Sequence, residues 1–178
     1  YGVCDSVEVH VQADLPGGSG LGSSSALTVG MLTALGANDE CFAPEAAYLI
    51  ERTICGNPVG KQDHYIASVG SLHKFIFRGS GPAEEIPIGW RCCEYLGTHL
   101  MLFDTRLRRS ASDVLSGIGS RLNDEALKMI RGQVDEMVDC IGYRGDVGAV
   151  LHRGWLLKRS LSDAISNPQI DAWYQTAM

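Results

Sequence analysis

The chain has 178 residues, 45% of them hydrophobic and 20% charged, a balance that suits one substantial globular domain or parts of two. A formal net charge of −6 argues against nucleic-acid and anionic-membrane partners, and no apolar run reaches the length of a membrane span or reads as a signal peptide, so no membrane association and a cytoplasmic location are expected. The six cysteines include no Cys-x-x-Cys pair and the five histidines are scattered, which speaks against a zinc site and for reduced thiols.

The first predicted element is a strand. Val7, Val9 and Val11 alternate with Glu8, His10 and Gln12, the period of a half-buried strand. Leu27, Met31, Ala34 and Leu35 share one helical face and predict a helix from about Ser23 to Leu35, ended by Gly36 and Asn38. Between the two lies a run rich in glycine and serine, Asp14 to Ala26. Glycine permits positive φ and close approach of a ligand. A serine at the helix start caps free N–H groups. Those groups and the helix dipole make an anion site, so the run reads as a phosphate-cradling loop. It is not a Walker loop: Gly17 and Gly22 have the right spacing, but Ser23 stands where lysine is required. Nor is it the dinucleotide fingerprint: Gly18 and Gly20 fit, and Ser23 again occupies the third glycine position. A ligand-free strand-to-helix turn is the alternative.

The run Pro16 to Ala26 resembles the second signature of the GHMP kinases, the relatives of galactokinase, homoserine kinase, mevalonate kinase and phosphomevalonate kinase. The resemblance implies ATP held by Pro16, Gly18, Gly20, Leu21, Gly22, Ser23, Ser24 and Ser25, with the Ser24 hydroxyl on Mg2+.

A second helix is predicted from Pro44, with Ala46, Ala47, Ile50 and Ile54 on its apolar face and Gly56-Asn57-Pro58 as its stop. Glu51 has mostly apolar helical neighbours. It is either a rim residue paired with Arg52 or solvent, or a carboxylate with a specific partner. Two breakers then flank a polar cluster, Lys61 to His64, before a short helix with Tyr65, Ile66 and Val69 inward. Asp63 is a helix cap, a base, or a partner for Lys61. The stretch Glu51 to Pro58 followed by Gly60 and Asp63 resembles the mevalonate kinase segment in which a magnesium-binding glutamate precedes a catalytic aspartate, with one extra residue after Pro58. Gly60-Lys61-Gln62-Asp63-x-Tyr65 resembles the branch that phosphorylates D-glycero-D-manno-heptose 7-phosphate, and related fucokinase domains. By that resemblance Glu51 joins Ser24 as a metal ligand and Asp63 is catalytic. Lys61 moderates the charge of Asp63 or contacts phosphate.

Ser71 to Arg78 alternates and reads as a strand covered on both faces; Gly79 to Pro82 is a turn, and Ile86-Pro87-Ile88 a short edge strand. Leu100 to Phe103 is a buried strand candidate. The basic cluster Arg106, Arg108 and Arg109 follows it, before a helix capped by Ser110 or Ser112. It is either a solvated turn or a site for a phosphate. Phe103 to Ala111 resembles a substrate-side segment of the heptose branch, which implies substrate roles for Thr105, Arg106 and Arg109. There a glycine commonly follows the threonine; here Arg106 does. Helical patterns follow: Val114, Leu115 and Ile118; then Leu127, Ile130, Val134, Met137 and Val138, capped by Asn123 or Asp124; then Val147, Val150, Leu151 and Trp155; and, after the Ser166-Asn167-Pro168 turn, Ile170, Trp173, Tyr174 and Ala177.

The resemblance implies an α+β fold: a ribosomal protein S5 domain 2-like N-terminal GHMP kinase domain over residues 1–120, and the start of a helical, ferredoxin-like C-terminal domain over 121–178. The family's first and third signatures lie outside this chain, so a fragment is expected. The implied reaction is phosphoryl transfer from ATP, with Mg2+, to a sugar or sugar phosphate, for this branch the anomeric hydroxyl of the heptose phosphate. A monomer or homodimer is expected. The alternatives are a fucokinase, galactokinase or mevalonate kinase-like acceptor, and a non-catalytic sugar or nucleotide sensor on the same fold.

Overall fold

The computed structural model describes residues 8–14, 17–36, 42–79, 81–107 and 124–178. Its described part is α+β, with many helices and one two-stranded sheet. The chain divides into two compact units, Tyr1–Gly70 with Arg106–Arg109, and Ser71–Thr105 with Ser110–Met178.

The first unit is helical among its described residues. Helix α1 (Ser23–Ala34) packs on α2 (Phe42–Leu49) and α3 (Gln62–Val69), and α2 runs on into a π-helical segment, Ile50–Ile54. The core is Val29, Leu32 and Ala47, with Ala46 and Ile50 packed against it. The expected inward face of α1 is thus replaced by Val29 and Leu32, while Leu27, Met31 and Leu35 are exposed. Apolar residues surround α1, so periodicity alone singles out no face. Of the strand expected over Val7–Gln12, residues 8–12 join no sheet among the described residues, and Val9 and Val11 are exposed. A strand needs a ladder partner as well as the right alternation.

In the second unit, β1 (His73–Ile76) and β2 (Glu84–Pro87) pair antiparallel, with Lys74 opposite Ile86 and Phe75 opposite Glu85. Both expected strands exist, shorter or shifted by two residues. Helix α4 (Trp90–His99), which no sequence pattern announced, follows and lies against α5 (Asp124–Gly142); α5 packs on α6 (Val147–Leu161). Lys74 on β1 pairs with Asp135 on α5. A 3-10 turn, Asp163–Ile165, leads to α7 (Pro168–Ala177). Ala126, Leu161 and Ile165 form the core, with Trp155 against it.

The expected buried strand at Leu100–Phe103 does not form. These residues carry no strand hydrogen bonds and are exposed, Met101 at 81%. Apolarity names a preference for burial; it does not supply the covering element. For the same reason Leu127 on α5 is exposed, and Ile130, Val134 and Leu151 line an open groove of about 500 Å³ where a closed core was expected. The expected stripe Val114, Leu115 and Ile118 lies outside the described residues, as do Pro16, Asn38, Ser80, Arg108, Arg109, Ser110, Ser112 and Asn123.

Candidate active site

The glycine-rich loop enters α1 through left-handed backbone. Gly18, Gly20 and Gly22 have φ of 72°, 77° and 69°. Gly22 is the N-cap, and no side chain caps the helix. That corrects the expected serine cap: Ser24 and Ser25 turn their hydroxyls to Glu51. The first-turn amides of α1 therefore keep their donors for an anion. In the same loop the Ser19 hydroxyl is buried with no hydrogen-bond partner among the described residues, a polar atom that a bound phosphate would satisfy. An apolar cavity of about 520 Å³, lined by Val9, Val11, Leu21, Leu27 and Met31, opens between residues 9–14 and α1.

Glu51 is in the interior. It continues the buried face of Ala43 and Ala47 and is itself only 3% exposed. The rim alternative is therefore excluded. The chain turns wide here: the Cys55 amide donates to the Ile50 carbonyl five residues back, at 2.9 Å, and π-turns of this kind recur at functional sites. The wide turn also accounts for Ile54, expected inward and found 78% exposed.

Four side chains surround the Glu51 carboxylate. Oε1 accepts from the Ser24 hydroxyl and, at 3.2 Å, from Thr28. Oε2 accepts from Ser25 at 3.3 Å and lies 3.0 Å from His64 Nε2. Burial acts to raise the carboxyl pKa, but the Ser24 and Thr28 hydrogen bonds, the charge of His64 and the Ser25 hydrogen bond outweigh it, and the group is held below its ordinary value. The carboxylate stays ionised and its four lone-pair positions are filled. Ser24, Thr28 and Glu51 supply only hard oxygen atoms, the donor type Mg2+ takes. Among the described residues no group of three or more His, Cys, Asp or Glu could hold a metal, so a cation here would draw its remaining oxygens from a phosphate or water.

Helix α3 brings up the second carboxylate. Asp63, in its first turn, packs against Gly22: a Cβ added there would meet Asp63 Cβ and Cγ at 3.3 Å. The N-cap is Lys61, so the cap alternative for Asp63 does not hold. Asp63 is exposed, while its neighbours His64 and Tyr65 are fully buried. One short helix thus aims one acid at the loop and an imidazole at the other acid. Lys61 donates to both oxygens of Glu45 at 2.8 Å and lies 5.3 Å above the Tyr48 ring; Tyr65 also donates to Glu45, at 2.6 Å. These contacts clamp the start of α3 to α2. Glu45, Thr28 and His64 were missed in the sequence; only His64, adjoining Asp63 in a polar cluster, carried a signal. Thr105 and Arg106 are exposed, and Arg106 has φ 55°. The arginine takes the left-handed backbone that a glycine at this place would favour.

Residues 1–71 match the family model described as GHMP kinases N terminal domain. Residues 1–71 are therefore similar to a GHMP kinase N-terminal domain, the family whose signatures Pro16–Ala26 and Glu51–Tyr65 resemble. The chain is also 29% identical, over an alignment of 188 positions, to the D-glycero-alpha-D-manno-heptose 7-phosphate kinase of Campylobacter jejuni, covering 97% of this chain and 55% of that relative. The chain spans about half the length of the curated relative it matches. Among the described residues no helix is long and apolar enough to cross a membrane.

Proposed function

We propose that this chain belongs to an ATP-dependent sugar kinase, and that its acceptor is the anomeric hydroxyl of D-glycero-D-manno-heptose 7-phosphate. The observation that carries the reading is one juxtaposition. Ser24 at the head of α1 meets Glu51 from the π-turn, and Asp63 packs on Gly22 of the same loop. In phosphoryl transfer, positioning and charge neutralisation do most of the work. The loop amides from Gly20 to Ser25 hold the nucleotide phosphates, and the apolar cavity beside α1 takes the base. Ser24 and Glu51 hold Mg2+, which neutralises phosphate charge when bound. Asp63 accepts the proton of the acceptor hydroxyl or orients it. Lys61, fixed by Glu45, sets the start of the helix that presents Asp63. Thr105, Arg106 and Arg109 are assigned to the sugar phosphate. The similarity to a D-glycero-alpha-D-manno-heptose 7-phosphate kinase supports the acceptor. The fold reading is an S5 domain 2-like N-terminal domain over 1–120 and the start of the C-terminal domain over 121–178.

The test is Asp63→Asn in the full protein, assayed for ATP consumption with a panel of sugars and sugar phosphates. Turnover on the heptose phosphate should fall by roughly 10²–10⁴-fold with nucleotide binding retained. Undiminished turnover removes Asp63 from the reaction. A preference of the unmodified enzyme for fucose, galactose or a mevalonate-type alcohol replaces the acceptor. Binding without turnover on any acceptor replaces the kinase reading with a sensor.

A further inference from the structure

We infer that His64 is a positioning residue that locks the Glu51 carboxylate in the orientation a cation needs. This rests on the reading of Glu51 and Ser24 as the Mg2+ ligands. The two carboxylate oxygens have different surroundings. Oε1 is bound by hydroxyls alone, those of Ser24 and Thr28. Thr28 has a second acceptor in reach, the Ser24 carbonyl at 3.1 Å. When a cation takes Oε1, Thr28 can fall back on that carbonyl and stay satisfied. Oε2 faces the other way, toward Ser25 and the His64 ring. His64 is fully buried and held at its far end, with Nδ1 3.2 Å from the Gly60 carbonyl. The Tyr48 ring packs edge-on at 6.0 Å between centroids. The imidazole is therefore a fixed strut between the loop before α3 and Oε2. Without it Oε2 keeps only the 3.3 Å hydrogen bond from Ser25, and less resists rotation about the last torsion, which is broad and roughly two-fold in glutamate. A ligating carboxylate set by outer hydrogen bonds typically loses affinity for its metal when they are removed. His64 adjoins Asp63, so the helix that aims the proposed base also sets the metal carboxylate.

Two variants of similar volume separate the role from packing. His64→Gln keeps an N–H within reach of Oε2, and His64→Met fills the site without a donor. Mn2+ binding to the full protein, followed by electron paramagnetic resonance with a non-hydrolysable ATP analogue present, is the readout. Analogue binding without metal and thermal melts are measured alongside. We expect His64→Met to weaken Mn2+ by roughly 10-fold or more, His64→Gln to stay near the unmodified protein, and metal-free analogue binding to hold in both. Ser25→Ala removes the other hydrogen bond to Oε2, is expected to weaken Mn2+ in the same direction, and decides the matter if His64→Met does not fold. Mn2+ binding unchanged in His64→Met, or in Ser25→Ala where His64→Met does not fold, overturns the inference, as does His64→Gln as weak as His64→Met. Glu51→Gln tells the two failures apart. If it weakens Mn2+ and His64→Met does not, only the role of His64 falls; if it leaves Mn2+ unchanged, the metal assignment falls as well.

Discussion

Gly22 has two independent reasons to be glycine. Its φ is 69°, and a Cβ there would press on Asp63 at 3.3 Å. Left-handed backbone costs an L-residue roughly 1–2 kcal/mol, and the contact falls on the proposed base. Gly22→Ala should destabilise the protein by about that amount in denaturant unfolding and displace Asp63, so that turnover falls further than stability. Stability and turnover both intact would mean that Asp63 does not need this approach. At Glu51 the sign of the pH effect follows from its surroundings. The folded carboxyl has a lower pKa than the unfolded one, whose ordinary value is 4.5. Its contribution is present above that value and is lost as pH falls through the folded one. In metal-free protein, Glu51→Gln should be less stable than the unmodified chain at about pH 7, with the gap narrowing toward about pH 3. A gap of constant size, measured by unfolding midpoints across that range, would show that the ionised form is not favoured by folding.

At the scale of elements, the π-segment Ile50–Ile54 and the short helix α3 do most to build the site. The first keeps Glu51 on the buried face of Ala43 and Ala47 and turns Ile54 out. The second turns Asp63 to the loop and His64 inward in consecutive positions, which lie about 100° apart around an α-helix. Helix ends in the second unit follow local rules closely. Asp146 accepts from the Ala149 amide at 2.9 Å and Asn167 from the Ile170 amide at 2.9 Å, with Pro168 next in line. Asn167→Ala should lower stability by about 1 kcal/mol in denaturant unfolding. A midpoint and slope equal to those of the unmodified protein would show that the cap contributes nothing. These caps were local, each using a side chain within three residues of the amide it serves, although the sequence reads only as a turn at Ser166-Asn167-Pro168. The Glu51 contacts were not, since they join residues 13 to 27 positions apart.

Over the whole molecule, each unit closes a small core of its own, Val29, Leu32 and Ala47 in one and Ala126, Leu161 and Ile165 in the other. Around these cores many apolar side chains stay exposed, from Val9 and Val11 to Met101 and Phe103. The chain also spans 55% of the relative it matches. By itself the sequence determined the glycine loop, the helix after it, the hairpin strands and the resemblance to the GHMP kinases. Each of these is written in neighbouring residues: φ preferences at glycine, turn chemistry, a short-range period. Only the tertiary structure decided that Glu51 is an interior carboxylate, that Ser24 and Ser25 serve it and leave the cap open, and that Lys61 belongs with Glu45. Those outcomes depend on which helix packs on which, and a carboxylate is stable in an interior only where distant parts of the chain deliver enough hydrogen bonds to replace water.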